Sequence, residues 1–277
     1  MRPKIGLVLS GGGAKVAAQI GVLKVLEEIG VPVDMIASSS MGSVVGALYA
    51  IGYDAQEIKD IFFKENWHNI LYNEEILRTS LSMIEKRHDG RYIGSFPVKD
   101  WHIHLPSGLN SGQSLSKTIS RYTWSINHIE NFKLFKRDFL CIATDLSNGE
   151  AVVLESGFLP DAVHASMLFP TVLKPIEIDG KLVIDGGLAR NFPVSDLIQR
   201  GADIIIGVDV SAPLRDGKDL TTFIDILEQS ASYNAVAKTE KEKELCDILI
   251  APNLIGYDYS RFDAIDTLYN RGVEAAN

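Results

Sequence analysis

Three short segments of the chain carry groups that could take part in acyl transfer, and the first contains a serine. Residues 38–43 read Ser-Ser-Ser-Met-Gly-Ser and lie between a predicted strand and a predicted helix. A nucleophilic serine exposed at such a turn needs small neighbours, because the strained backbone brings the flanking positions close together. The stretch matches the elbow pattern G-x-S-x-G centred on Ser40, except that Ser38 replaces the first glycine. Alone, it also fits a serine-rich helix N-cap.

A glycine-rich loop follows the first predicted strand, where residues 10–15 read Ser-Gly-Gly-Gly-Ala-Lys. Three glycines allow a sharp turn and leave amide N–H groups facing an anion at the start of the next helix. The dinucleotide fingerprint G-x-G-x-x-G is broken at Val16, and the Gly-Lys-Ser/Thr of a phosphate-binding P-loop is absent. A nucleotide-binding protein is therefore a poor match. The loop by itself is either a tight turn or a site for another anion.

The third segment places a carboxylate at the end of an apolar predicted strand. Residues 183–188 read Val-Ile-Asp-Gly-Gly-Leu. The apolar residues before Asp185 and the two glycines after it predict a partly buried acid with room around its backbone. Alone, Asp-Gly-Gly is most often a turn.

Together, the three segments resemble the pattern of the patatin-like phospholipases. That pattern has a G-G-G-x-R/K loop, a G-x-S-x-G elbow and a D-G-G/A strand end. The likeness extends over nearly the whole chain, through residues 20–23, 45–53, 165–167, 170 and 191–193.

The resemblance implies an enzyme, a serine lipid acyl hydrolase of the phospholipase A or esterase type. Ser40 would be the nucleophile and Asp185 its base in a Ser-Asp dyad, with no histidine needed. A carboxylate with an ordinary pKa of about 4 is a weak base at pH 7, so oxyanion donors worth about 3 kcal/mol each must supply much of the rate. The implied oxyanion-hole residues are Gly11, Gly12, Gly13, Ala14 and Lys15, and the implied supports of the elbow and the dyad are Met41, Gly42, Gly186 and Gly187.

The implied partner is a phospholipid or another acyl ester, reached by peripheral contact with a membrane, and no cofactor is implied. Net charge is -9 and no Lys/Arg cluster occurs, which argues against a nucleic-acid partner.

His102 and His104 share one side of a predicted strand, but no third ligand follows at a suitable spacing, so no metal is predicted. His164 is expected to be a partly exposed surface residue. The oligomeric state stays open.

Val16 and Ser38 stand where the family pattern usually has glycine. If residue 16 needs a positive φ or passes close to the elbow helix, a β-branched side chain costs on the order of 1–3 kcal/mol and displaces the oxyanion donors. If residue 16 lies in the first turn of a helix, valine is tolerated. The first case predicts a catalytically impaired patatin-like domain that serves as a lipid-binding or interaction module. Lys15 is expected to fix the glycine loop.

A narrower likeness points to a bacterial subgroup in which a patatin domain precedes an outer-membrane barrel, as an autotransporter-like passenger. It implies a location at the outer membrane, at the cell surface or outside the cell, with the cytoplasm as the alternative. The segments that carry it are residues 89–92, 95–97, 105–113, 143–146 and 271–276.

The predicted elements agree with an α/β fold. A strand at residues 5–9, a helix from about 14 to 29, a strand near 33–37 and a helix through 41–51 give the order βαβα, which implies a parallel sheet covered by helices on both faces. With the resemblance, this predicts a patatin-like three-layer αβα sandwich with a mostly parallel central sheet. Further strands are predicted at residues 139–144, 151–154, 182–184 and 203–208, and further helices near 194–199, 222–238 and 264–275.

Bulk composition predicts an ordinary globular chain. The 277 residues are 46% hydrophobic and 23% charged, without repeats or a linker, which predicts one domain over residues 1–277. Residues 62–136 lack the regular alternation of predicted strands and helices and are predicted to form an irregular cap-like insertion. Cys141 and Cys246 lie in apolar segments and are expected to be small core residues. No apolar run reaches the roughly 18 residues of a spanning helix, and the N-terminus is typical of a strand and not of a signal peptide, so we expect a soluble chain.

Overall fold

A central β-sheet forms the middle layer of the fold. The computed structural model describes residues 2–72, 98–99, 102–103, 112–170, 172–220 and 223–277. The strands in this part of the chain are β1 (Ile5–Leu9), β2 (Val33–Ser39), β3 (Val98–Lys99), β4 (His102–Ile103), β5 (Asp138–Asp145), β6 (Ala151–Leu154), β7 (Ile176–Ile178), β8 (Lys181–Asp185), β9 (Ile204–Val208) and β10 (Ile248–Ile250).

Helices lie between the strands and cover the sheet. They are α1 (Ala17–Glu28), α2 (Gly42–Ile51), α3 (Ala55–Lys64), α4 (Trp67–Tyr72), α5 (Gln113–Thr123), α6 (Leu159–Ser166), α7 (Gly187–Arg190), α8 (Val194–Gln199), α9 (Phe223–Lys243) and α10 (Ile265–Ala276). Short 3-10 turns occur at Gly13–Val16, Trp124–Ile126, Phe132–Leu134, Gly217–Asp219 and Phe262–Ala264. None of the helices in the described part of the chain combines the length and the apolar character that a membrane span requires.

The sheet is mostly parallel, as the sequence predicts. Its strand order is β10-β9-β1-β2-β5-β8-β7, and β6 pairs with β5. The first five of these strands run parallel to one another, while β6 and β8 are antiparallel to β5. The carboxyl ends of β1 and β2 therefore lie at one edge of the sheet, where the glycine loop and the serine elbow both begin.

Strands β2 and β8 meet end to end along the same side of β5. Residues 138–142 of β5 pair with β2, and residues 143–145 pair with β8. Strand β6 pairs with residues 141–144 and so occupies the opposite side. Because β8 runs antiparallel to β5, its last residue arrives directly beyond the last residue of β2. This register brings the two strand ends together.

Side chains alternate between two apolar layers, which confirms the predicted three-layer sandwich. In β1, Leu7 and Leu9 enter the large core, which also contains residues of α1, α2, α5, α6 and α10, whereas Val8 points to the other face. The same alternation runs along β2 and β5, where Ile36, Phe139, Cys141 and Ala143 face the large core and Met35, Ala37, Leu140 and Ile142 face the smaller one. Phe192 and residues of α8 complete the smaller core.

Most predicted elements are confirmed, and the differences have physical reasons. The predictions at residues 151–154 and 194–199 match β6 and α8. The first helix starts as the 3-10 turn Gly13–Val16 and becomes α-helical at Ala17. The sequence missed β7 and β10, because each has only three residues, most of them partly exposed or exposed. Leu268 and Tyr269 of α10 are buried, so the last helix packs on the core as expected.

The cap-like insertion at residues 62–136 stays a prediction. Residues 73–97, 100–101 and 104–111 fall outside the described part of the chain. Within its described part, α5 buries Leu115 and Ile119 in the large core. That helix is therefore an integral part of the sandwich.

A close crossing of α1 and α10 gives a test of the packing. A Cβ on Gly272 would lie 1.8 Å from the carbonyl oxygen of Ala18. We expect Gly272→Ala to lower the free energy of unfolding by about 1–3 kcal/mol, because the helices must separate. Urea unfolding measures this loss. Gly217→Ala is the control, since a Cβ on that exposed glycine would meet no atom within 4 Å; equal losses in both variants would contradict the crossing.

Candidate active site

The serine elbow is a strained turn between β2 and α2. Ser40 has a φ of 50°, a left-handed conformation that residues other than glycine rarely adopt. Gly42, at the start of α2, makes this turn possible, because a Cβ there would lie 2.5 Å from the carbonyl oxygen of Ser10. Ser40 remains partly exposed, as a nucleophile must be. The local geometry is that of a nucleophile elbow.

The hydroxyl of Ser40 donates a hydrogen bond to Asp185, with Oγ 2.6 Å from Oδ2. Asp185 ends β8, so this contact follows from the meeting of β2 and β8 beside β5. The other carboxylate oxygen, Oδ1, accepts the amide of Gly187 at 2.7 Å. Gly186 must be a glycine, since a Cβ there would lie 2.0 Å from the carbonyl oxygen of Ile142. The two residues that the motifs single out are thus in direct contact.

Burial changes the acidity of Asp185. The residue is 3% exposed, and desolvation raises the pKa of its carboxyl to about 6, against the opposing hydrogen bonds from Ser40 and Gly187. The expectation of an ordinary pKa near 4 is therefore wrong. A base whose pKa lies near 6 is better matched to proton transfer at pH 7 and is still mostly ionised there.

The glycine loop lies against the elbow and is held by Asn191. The amide of Gly11 donates to Asn191 Oδ1 at 3.1 Å, and Asn191 Nδ2 donates back to the carbonyl oxygen of Gly11 at 3.3 Å. A Cβ on Gly11 would lie 2.6 Å from the Cβ of Ser40. The backbone of the loop therefore passes directly beside the serine. Sequence reasoning noted Asn191 only as part of the family likeness and missed this contact.

The amides of the loop are not equally available to an anion. Gly11 donates to Asn191, Ala14 to the carbonyl of Tyr259 at 2.8 Å, and Lys15 to the carbonyl of Gly12 at 3.2 Å. These three amides are therefore engaged, and the expectation that they serve as oxyanion donors is not met in this conformation.

The donors that remain are the amides of Gly12 and Gly13. Both residues are partly exposed, and among the described residues neither amide has a hydrogen-bond acceptor. Gly13 has a φ of 58°, and a Cβ there would lie 2.3 Å from the carbonyl oxygen of Tyr259, so only glycine fits. The amide of Met41 likewise has no acceptor in the described part of the chain, and a nucleophile elbow contributes a donor at that position.

Lys15 is buried and not solvated. It is 3% exposed, and desolvation lowers the pKa of its amine to about 8, with Asp209 and Asp258 acting in the opposite direction. Asp209 itself forms an ion pair with Lys243 at 2.6 Å. The burial of Lys15 beneath the glycine loop is compatible with the expected role in fixing that loop, which stays a prediction.

Both departures from the family pattern fit sterically, and the buried Oγ of Ser38 has no hydrogen-bond partner among the described residues. Val16 has φ -62° and ψ -14°, a helical conformation, and its side chain is buried in the large core. Of the two cases that the sequence left open, this is the one in which valine is tolerated. Ser38 is buried within β2, and its Oγ lies against Gly46, where a Cβ would approach to 3.0 Å. The missing side chain of Gly46 makes room for Ser38.

No hydrogen bond links His68, His128 or His164, the histidines whose side chains the structure describes, to Ser40 or Asp185. His164 was expected at the surface, and this is wrong: it is 6% exposed, and desolvation lowers the pKa of its imidazole. Its burial follows from the packing of α6, in which every residue except Asp161 is buried, and the sequence pattern did not indicate it because His164 and Asp161 lie on the same side of the helix. His102 lies in β4 and His104 outside the described residues. No group of three potential metal ligands occurs over the described residues, and the absence of a metal stays a prediction.

The cysteines behave as expected where they are described. Cys141 is buried in the large core and Cys246 is partly buried, and both are free thiols. Burial raises the pKa of both thiols, that of Cys246 to about 11. Neither is a candidate nucleophile at neutral pH.

A comparison with protein families gives a match over most of the chain. The family described as patatin-like phospholipase matches residues 7–198. Among curated relatives, Lysophospholipase NTE1 of Phaeosphaeria nodorum is 32% identical over 209 residues, and Lysophospholipase nte1 of Aspergillus niger is 34% identical over 209 residues. Each alignment covers 75% of this chain and 12% of the relative, so the chain spans only a small part of the length of these relatives.

Solved structures with a similar fold include VipD from Legionella pneumophila. It has a TM-score of 0.49 and 15% identity, and the match covers 99% of this chain and 67% of VipD. Human GIVD cytosolic phospholipase A2 has a TM-score of 0.45 and 13% identity, with 99% of this chain and 57% of that chain covered.

Replacing Asp185 by asparagine should stabilise the fold at neutral pH. The pKa of the folded carboxyl, about 6, lies above the ordinary value of 3.8. The neutral acid therefore favours folding, and its contribution is complete below pH 3.8 and lost as the pH rises through 6. At pH 8 the parent carries a buried charge that asparagine lacks, worth on the order of 3 kcal/mol.

Thermal unfolding from pH 4 to 8 measures this effect. The Tm advantage of Asp185→Asn over the parent should grow through pH 6 and then level off. A difference that is constant over the whole range would show that burial does not raise this pKa.

Proposed function

The chain belongs to the patatin-like phospholipase family, whose match covers more than half of its length, and on this premise we propose that it is a serine lipid acyl hydrolase. The observation that carries the proposal is the 2.6 Å hydrogen bond from Ser40 Oγ to Asp185 Oδ2, beside a loop in which the amides of Gly12 and Gly13 have no acceptor among the described residues. The names of the relatives, which are lysophospholipases, support a hydrolase acting on lipid esters.

In the proposed reaction, Asp185 accepts the proton of Ser40 while Ser40 Oγ attacks the carbonyl carbon of an acyl ester. The resulting oxyanion would be stabilised by the amides of Gly12 and Gly13, and by that of Met41. Collapse breaks the ester bond, and the alcohol leaves with the proton from Asp185. Water then attacks the acyl-Ser40 ester, with Asp185 again as base, and the fatty acid and free serine are released.

In the proposed mechanism, the raised pKa of Asp185 and the oxyanion donors each contribute to the rate. At pH 7 a carboxyl with a pKa of about 6 is mostly ionised, so it can accept the proton of Ser40. It remains a far weaker base than the alkoxide it helps to form. Donors worth about 3 kcal/mol each must therefore supply much of the rate, and they need no metal or other cofactor.

The alternative is a catalytically impaired domain that binds lipid or another protein. This alternative is based on Val16 and Ser38, which stand where the family pattern usually has glycine. The helical conformation of Val16 and the space that Gly46 leaves for Ser38 support the active enzyme instead.

For the substrate and location, we propose a phospholipid or related acyl ester, taken up by peripheral contact with a membrane. The further proposal of a bacterial passenger domain at the outer membrane, the cell surface or outside the cell rests on sequence likeness alone, in segments such as residues 143–146 and 271–276. The cytoplasm is the alternative location. The fungal relatives provide no support for the bacterial proposal.

Hydrolysis assays test the dyad directly. With a fluorogenic phospholipid, a lysophospholipid and a short-chain chromogenic ester, we expect Ser40→Ala and Asp185→Asn to lower kcat/KM at least a hundredfold. The parent's kcat/KM should rise with pH through about 6, as Asp185 ionises.

Ser39→Ala is the matched control. Ser39 is buried next to the nucleophile, and its Oγ has no hydrogen-bond partner in the part of the chain that the structure describes. This variant should keep the parent's activity. Activity retained in Ser40→Ala would contradict the assignment of Ser40 as the nucleophile. Background rates in the parent and in all variants would favour the catalytically impaired domain.

A further inference from the structure

Ser166, the last residue of α6, joins the two halves of the proposed dyad. It is fully buried, and its Oγ accepts the backbone amide of Ser40 at 2.9 Å. Its carbonyl oxygen accepts the amide of Gly186 at 3.1 Å, directly after Asp185. The amide of Asp185 donates in turn to the carbonyl of Leu168 at 3.0 Å. Residues 166–168 thus bridge the nucleophile and its base through three hydrogen bonds.

The hydrogen-bond partners of the Ser166 hydroxyl fix its orientation. Its Oγ lies 2.5 Å from the carbonyl oxygen of Ile142 and 2.8 Å from Ser43 Oγ. A carbonyl oxygen cannot donate, so the one hydroxyl hydrogen of Ser166 goes to Ile142. Ser43 must then donate to Ser166, and the amide of Ser40 occupies the second lone pair. The hydroxyl therefore has no freedom to turn away from Ser40.

We propose that Ser166 is a positioning residue, which holds the amide of Ser40 so that the serine keeps its left-handed turn and its Oγ faces Asp185. The proposal rests on the proposed function of the Ser40–Asp185 pair. Ser40 has a φ of 50°, a strained conformation that persists only where its surroundings enforce it. The hydrogen bond from Ser166 acts at the atom next to that torsion angle.

Removing the hydroxyl has a specific consequence for catalysis. Ser166→Ala leaves the amide of Ser40 without its acceptor, so the turn relaxes and Ser40 Oγ moves away from Asp185. Because no group that faces solvent or substrate changes, kcat should fall while KM stays nearly constant. Asp185 would also lose the hydrogen bond from Ser40 that lowers its pKa. The apparent pKa on the acidic side of the profile of kcat against pH should therefore rise.

Ser43 provides a matched control in the same cluster. It is fully buried, and its hydroxyl donates to Ser166. Ser43→Ala removes a hydroxyl of the same size and leaves an equally small void, but the bond between Ser40 and Ser166 remains. The backbone amide of Ser43 still donates to the carbonyl of Ser40 at 2.8 Å. A merely structural cluster would respond in the same way to either change.

The test combines steady-state kinetics on a short-chain chromogenic ester, from pH 5 to 9, with hydrogen exchange of the Ser40 amide by NMR. We expect Ser166→Ala to lower kcat at least tenfold, to change KM less than twofold and to raise the apparent pKa on the acidic side of the pH profile. Ser43→Ala should keep kcat within threefold of the parent's value and leave the apparent pKa on the acidic side of the pH profile unchanged. The amide of Ser40 should be protected in the parent and in Ser43→Ala, and exchange at least tenfold faster in Ser166→Ala.

The outcomes separate this inference from the proposed function. Equal kinetic losses and equal exchange in the two variants would overturn the role of Ser166. An inactive parent whose Ser40 amide still depends on Ser166 would overturn the proposed function instead. If Ser166→Ala does not fold, Ser166→Cys serves in its place, because a thiol of similar size is a weaker acceptor; parent-like kcat, pH profile and exchange in that variant would contradict the inference.

Discussion

The site depends on one constraint of the sheet: two strands must share one side of β5 and stop where they meet. Strand β2 ends at Ser39 opposite Ile142, and β8 ends at Asp185 opposite the next residue, Ala143. Serine and carboxylate are separated by 145 positions in the chain, yet the pairing of both strands with β5 brings the two strand ends together. Parallel strands anchored in two apolar layers make this register costly to shift, because a slip by one residue would turn every side chain to the wrong face. Ser40 and Asp185 are thus placed by the central sheet.

The second requirement is close approach of backbone to backbone, which the glycines permit. Gly11 lies against Ser40, Gly42 against Ser10, and Gly186 against Ile142, each at a distance that leaves no room for a Cβ. This packing excludes water around Asp185, and the same exclusion raises the pKa of the carboxyl to about 6. In the proposed mechanism stability and function are opposed, since a buried ionised carboxylate weakens the fold while it would provide the base.

Much of the fold and the identity of the pair were accessible from the sequence, because they rest on local patterns. Alternation and helical periodicity located the main strands and helices, and the motifs selected Ser40 and Asp185. Properties that depend on tertiary packing were not accessible. The acidity of Asp185 follows from neighbours distant in sequence, the burial of His164 from the surroundings of α6, and the engagement of the Gly11 amide from Asn191. The tolerance of Val16 required a backbone angle that no residue pattern specifies.

Activation of Ser40 by Asp185 within this preformed contact is the step on which the proposed function rests. Its most direct measurement is the rate at which a fluorophosphonate labels the protein, followed by intact mass from pH 4.5 to 8.5 and mapped to the modified residue. We expect a single adduct on Ser40, formed at a rate that rises through about pH 6. In Asp185→Asn the adduct should form at least a hundredfold more slowly, without that rise. Labelling of Ser40 at the same rate in the parent and in Asp185→Asn would contradict this activation.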